Sequence, residues 1–218
     1  MADVRGWIEQ KLLENGYYST RHPGGYLEIE RTSRPGARVL CVGLGGGEKF
    51  DAEDVDRAVS DLASSRFIVV LPTRITHAAY ERAEERRVCV AGFGELLDAL
   101  INDENIEDHV DSQEQYERRR LGRHSAVKSI KRRGHHAYDI RRDTLRTLTI
   151  ITTNGYEFTA DELYSLLESY EDITPDVIVV TNPNCHGFST DSLRAAAQVG
   201  VPLALFDDFL GGLALKWN

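Results

Sequence analysis

The chain is short of sulfur and of lysine. Its 218 residues include one methionine and three cysteines. An odd number of cysteines (Cys41, Cys89 and Cys185) excludes a fully paired disulfide framework. Cys41 in Arg38-Val-Leu-Cys-Val and Cys89 in Val88-Cys-Val read as free thiols buried in strands. Cys185 and His186 offer two metal ligands, but no second pair at zinc-binding spacing accompanies them, so neither a metal site nor a cofactor is expected. Apolar runs of the roughly 18–20 residues that cross a bilayer are missing. The opening Met-Ala-Asp-Val-Arg-Gly-Trp has no apolar signal-peptide core, and a cytoplasmic protein with no membrane contact is expected. What remains is ordinary for a globular chain, 41% hydrophobic and 28% charged, which excludes wholesale disorder.

Charge is plentiful and unevenly placed. The net charge is −9, yet residues 118–146 hold eleven Lys or Arg against Asp139 and Asp143, a local +9 inside a remainder of −18. The cations are Arg118, Arg119, Arg120, Arg123, Lys128, Lys131, Arg132, Arg133, Arg141, Arg142 and Arg146. Arginine suits phosphate because its planar fork donates two bonds at once. With residues 117–133 read as a helix, Arg120, Arg123, Lys128, Lys131 and Arg132 recur at helical spacing, while Ala126 and Ile130 turn inward as Ile8 and Leu12 do earlier.

The two halves lie over each other. Tyr26-Leu-Glu-Ile matches Tyr138-Asp-Ile-Arg, and Arg38-Val-Leu-Cys-Val matches Arg146-Thr-Leu-Thr-Ile. Lys49-Phe-Asp-Ala-Glu-Asp matches Glu157-Phe-Thr-Ala-Asp-Glu. Phe67-Ile-Val-Val matches Val177-Ile-Val-Val, and Val88-Cys-Val-Ala matches Val201-Pro-Leu-Ala. A preserved order with a drifting offset is the mark of a duplication. Each half opens with a helix (4–15; 117–133) that ends at a glycine, Gly16 or Gly134. A hairpin follows, then a helix with Asp51 or Thr159 as N-cap, then a continuous apolar strand, as expected where helices cover both sheet faces. The expected organisation is an α/β protein of two similar α-β-β-α-β-α-β-α units, 1–100 and 117–218, joined by an acidic linker at 101–116 and packed as a pseudo-dimer.

This order resembles the restriction-endonuclease-like (PD-(D/E)XK, Mrr-like) superfamily. The likeness is best over Phe67-Ile-Val-Val-Leu-Pro, the alanine-bearing helix from Thr76, Val88-Cys-Val and Leu96-Leu97. It implies a carboxylate on one central strand and Glu-x-Lys on the next, together holding Mg²⁺ against a phosphate. Glu28 or Glu30 and Asp139 could stand for the first acid. The following strands, Val39-Leu-Cys-Val-Gly and Leu148-Thr-Ile-Ile-Thr, carry no Glu-x-Lys, so no catalytic residue is expected.

Gly43-Leu-Gly-Gly-Gly hints at a phosphate loop, but Glu48 stands where the dinucleotide fingerprint needs glycine, and a strand-to-helix connection is the plainer reading. Ser125, His124, Cys185 and His186 sit in no nucleophile context, and His135-His136 read as solvated loop residues. The expected function is therefore a non-catalytic, nucleic-acid-associated protein contacting DNA or another polyanion through 118–146. The alternatives are a scaffold whose basic face docks an acidic protein or a second copy, and an atypical metal-dependent nuclease using Asp139.

Overall fold

The computed structural model describes residues 3–61 and 65–217. The chain divides into two compact units, Met1–Asp111 and Ser112–Asn218. The first contains α1 (Val4–Glu14), β1 (Ser19–Arg21), β2 (Tyr26–Ile29), β3 (Ala37–Gly43), α2 (Ala52–Asp61), β4 (Phe67–Leu71), α3 (His77–Arg86), β5 (Cys89–Ala91) and α4 (Phe93–Asn102). The second repeats this order as α5 (Ser112–Gly122), β6 (Val127–Gly134), β7 (Ala137–Arg142), β8 (Leu148–Thr153), α6 (Ala160–Ser169), β9 (Val177–Val180), α7 (Thr190–Val199), β10 (Leu203–Leu205) and α8 (Phe206–Gly212). Each unit has one five-stranded sheet in chain order, β1 to β5 and β6 to β10. In each, the first three strands are antiparallel and the last two run parallel to the third.

The α/β class and the two like units agree with the sequence, with one strand more per unit than expected: α-β-β-β-α-β-α-β-α. The added strands are β1 and β6, and β6 corrects the helix read over 117–133. The helix α5 stops at Gly122, and 127–134 is an edge strand. The misreading has a physical cause. Ala126, read with Ile130 as an inward helical pair, precedes the strand, and a register shift between Val127 and Ser129 puts Val127 on the core-facing side with Ile130, so that apolar residues three and four apart imitate a helical repeat. Helix α5 instead begins inside the supposed linker. Residues 101–116 contain the end of α4, a 3-10 turn at Ile106–Asp108 and the start of α5.

Strand register gives the correspondence between units. Leu27 pairs with Val39 and Val39 with Phe67 in the first; Tyr138 pairs with Ile150 and Ile150 with Val177 in the second. The sequence matches at Phe50/Phe158, Phe67/Val177 and Val88/Val201 keep this register. The match of Tyr26 to Tyr138 is slipped by one residue and that of Arg38 to Arg146 by three. A one-residue slip exchanges the two sheet faces.

One face of each sheet carries the first and last helices. Ile8, Leu12 and Leu96 pack on Leu27, Val39, Phe67 and Val69. Leu121, Phe206 and Phe209 pack on Tyr138, Ile140, Ile150 and Val179. The middle helices cover the other face, around Phe50, Ile68 and Val70 or around Phe158, Ile178 and Val180. Helix starts follow sequence rules: Asp3 accepts from the Gly6 N–H at 3.1 Å, and Thr159 and Glu162 form a capping box. Among the described residues no helix is long and apolar enough to cross a membrane.

Candidate nucleic-acid interface

Strand β6 is the free edge of its sheet, and with β7 it forms an antiparallel ribbon. Tyr138, Ile140 and Ile130 point into the core beneath α5, so alternation sends Lys131, Asp139 and Arg141 to the opposite face. Lys131 and Arg141 are exposed there, and Arg133 joins them with its Nε 3.6 Å from the Asp139 carboxylate. Lys128 is exposed and reaches Asp143 at 3.2 Å. Arg119, on the side of α5 away from Leu121, and Arg123, just past the helix end, are exposed as well.

The other predicted contacts are held inside the unit. Arg118 and Arg132 both pair with Glu114, at 2.7 and 2.9 Å. Arg120 pairs with Asp207 at 2.5 Å and lies over the Phe206 ring. Arg146 pairs with Asp176 at 2.7 Å. Arg142 is buried and donates to the carbonyls of Leu213 (3.0 Å), Leu215 (2.7 Å) and Arg146 (3.0 and 2.9 Å), tying down the chain that follows α8. Burial, then the neighbouring Arg146, hold its guanidinium pKa below the usual value. Arg31, its counterpart by register, does the same at the end of α4 through the carbonyls of Leu100 (3.0 Å), Asp103 and Glu104 (2.9 Å). The predicted basic set is thus spread over α5, the two ribbon strands and the loops beside them, and its largest exposed share lies on the β6–β7 ribbon.

A polar core joins α5 to that ribbon. Glu117, fully buried, accepts from the Tyr138 hydroxyl at 2.9 Å, the Gln113 amide at 2.9 Å and the Thr181 hydroxyl at 3.3 Å. His136 Nδ1 lies 3.4 Å from the same carboxylate. Burial first, and the Glu117 charge second, push the Tyr138 phenol far above its usual pKa, so Tyr138 stays a donor. The Tyr170 hydroxyl donates to the His135 carbonyl. His135 and His136 are therefore half-buried parts of the network rather than solvated loop residues. His136 has φ 52°, and its counterpart Gly25 has φ 90°, so the hairpin demands a left-handed residue and one unit supplies it with histidine. By the same register Leu27 stands where Tyr138 does and Leu71 where Thr181 does. Counting back from Leu12 and Leu121, Ile8 stands where Glu117 does. Sequence reasoning missed this cluster. Its one signal was an acid and a tyrosine at inward-facing positions that are aliphatic in the other half.

Of the acids weighed for metal chemistry, Glu30 lies exposed just past the end of β2, and the other two sit at one shared position. Glu28 and Asp139 correspond by register. Glu28 meets His22 at 2.8 Å and Arg38 at 3.4 Å, while Asp139 accepts from the Thr149 hydroxyl at 2.7 Å. The next strand offers Thr149, Ile150 and Ile151 beside Asp139. Among the described residues no group of three or more His, Cys, Asp or Glu is placed to hold a metal ion. Cys41 and Cys89 are half-buried rather than buried, and Cys185 is buried; none of the three forms a disulfide.

The fold and this surface define a tandem α/β protein of two like units, the second presenting a basic edge ribbon. No family model matches the chain, and no curated protein or solved structure matches it.

Proposed function

We propose that this is a non-catalytic nucleic-acid-associated protein, DNA-binding or regulatory, built from two degenerate restriction-endonuclease-like units. The observation that carries the reading is the exposed face of the β6–β7 ribbon, where Lys131, Arg133 and Arg141 stand together. Successive same-face residues on a strand are about 7 Å apart, and a two-stranded ribbon fits a major groove about 12 Å wide. The nuclease-like ancestry is supported by the three-strand meander continued by parallel strands, and by one carboxylate at the same register position in both units. The strand beside each carboxylate supplies none of the further acid or lysine that the superfamily's chemistry needs.

Anisotropy of a labelled duplex of about 20 base pairs at about 50 mM salt tests the reading. The full chain is expected to bind, and Lys131→Glu with Arg141→Glu to weaken binding at least about tenfold. Arg57→Glu, an exposed charge of the first unit, serves as control and is expected to change binding less than about twofold. No binding by the parent chain, or equal binding by the double variant, would overturn it.

A further inference from the structure

The first unit carries a cleft of about 800 Å³ at the carboxyl ends of β3 and β4, between the start of α1 and residues 43–46. This is where open α/β sheets place ligands, and the volume is that of a small-molecule site. Trp7, Leu44, Leu71 and Pro72 make its walls apolar. Trp7 is 44% exposed, with its ring fixed edge-on against Phe93 at 5.2 Å. Gly43 brings α1 close, since a Cβ there would stand 2.5 Å from Val4. Gly46 has open space before it.

The cleft holds one uncommitted charge. Arg5 lines it, half-buried, with no hydrogen-bond or ion-pair partner among the described residues. Asp3, the acid that lines the cleft with it, is engaged by the Gly6 N–H at 3.1 Å and by Arg21 at 3.0 Å, and Arg21 also takes Glu9 at 2.5 Å. Burial pushes the Cys41 thiol on the cleft wall up to about 12, so it stays neutral, and the negative charge Arg5 feels is that of Asp3, which Arg21 already holds. In the glycine loop the Gly45 N–H is already taken by the Glu48 carboxylate at 2.6 Å. In the second unit Arg5 corresponds to Glu114, which is buried and neutralised by two arginines. The unpaired arginine is thus peculiar to the first unit, and a half-buried guanidinium on an apolar cleft is completed by a carboxylate, which it binds through two parallel bonds.

We propose that this cleft binds a small amphipathic monoanion, a flat apolar body bearing one carboxylate, with the carboxylate on Arg5 and the body against Trp7 and Leu71. The site is independent of the nucleic-acid reading. Calorimetry on the full chain tests it with three probes: 1-naphthoate, the uncharged 1-naphthalenemethanol, and acetate. Saturable one-to-one binding of 1-naphthoate is expected, with each of the other two at least about tenfold weaker. Arg5→Gln is expected to bring 1-naphthoate down to the level of the alcohol, while Trp7→Ala weakens both aromatic probes. Arg5 has no hydrogen bond or ion pair to lose among the described residues, so its variant is expected to melt within a few degrees of the parent. Arg5→Lys provides a second variant that keeps the charge and loses the fork, and its affinity is expected to fall between the two. Failure of 1-naphthoate to saturate at millimolar concentration, binding of the alcohol by the parent chain as tightly as 1-naphthoate, or binding of 1-naphthoate by the Arg5→Gln chain as tightly as by the parent, would overturn the proposal.

Discussion

Replacing Glu117 by leucine should break the polar core of the second unit in a way that a second substitution repairs. The carboxylate accepts from Tyr138, Gln113 and Thr181, but these donors do not suffer equally. Thr181 keeps the Thr153 carbonyl at 3.1 Å, and Gln113 is only half-buried and can reach water. Tyr138 has 0% exposure and would lose its hydroxyl's acceptor. Orphaning a buried donor costs about 1–3 kcal/mol, and removing the buried charge returns part of the cost, so Glu117→Leu should destabilise by about 2 kcal/mol. Tyr138→Phe alone removes one donor from a carboxylate that keeps others and should cost about 1 kcal/mol. Together they leave neither partner stranded, and the pair should cost at least about 1.5 kcal/mol less than the sum. Urea unfolding in a Trp7→Phe background reads this through Trp217, which packs on Phe209 at 5.5 Å within the same unit. Strict additivity, or a stabilising Glu117→Leu, would show that the carboxylate does not hold the ribbon to α5.

Arg142→Ala should orphan carbonyls after α8 and cost about 3 kcal/mol, seen in the Trp217 transition; Arg31→Ala should act the same way on the first unit, seen through Trp7 in a Trp217→Phe background. Arg87 closes α3 with φ 56° where Gly200 closes α7 with φ 73°, so Arg87→Gly should raise stability by about 0.5–1 kcal/mol in thermal melts. The Cys41 pKa is raised by burial from 9.0 to about 12, so the folded chain keeps this thiol protonated where the unfolded chain ionises it. Stability should therefore be intact below pH 9.0 and decline as pH climbs toward about 12, and Cys41→Ala should remove that component from a pH series of urea midpoints.

Much of the architecture was legible because it rests on local chemistry. Phe67-Ile-Val-Val and Val177-Ile-Val-Val are buried throughout and read as strands from their apolar runs. Thr76, Thr159 and Ser189 cap helices as their side chains suggest. The edge strands were hidden. Strand β1 has three mostly exposed residues, and the bulge in β6 gave a polar strand the spacing of a helix. The basic segment was legible as composition only. Its cations divide by which carboxylates and carbonyls the fold brings near: Glu114, Asp207, Asp176 and the chain after α8 claim five of them, and none of these pairings follows from spacing beyond the one helical turn from Glu114 to Arg118. The Glu117 cluster assembles residues from α5, the hairpin and the end of β9, which only the register brings together.

The salt dependence of duplex binding tests the nucleic-acid reading most directly. With three or four ribbon cations on phosphates, the logarithm of the binding constant should fall against the logarithm of salt with a slope of about −3, and Lys131→Glu with Arg141→Glu should flatten it by about 2. A parent slope near zero, or one that the double variant leaves unchanged, would contradict contact through the β6–β7 face.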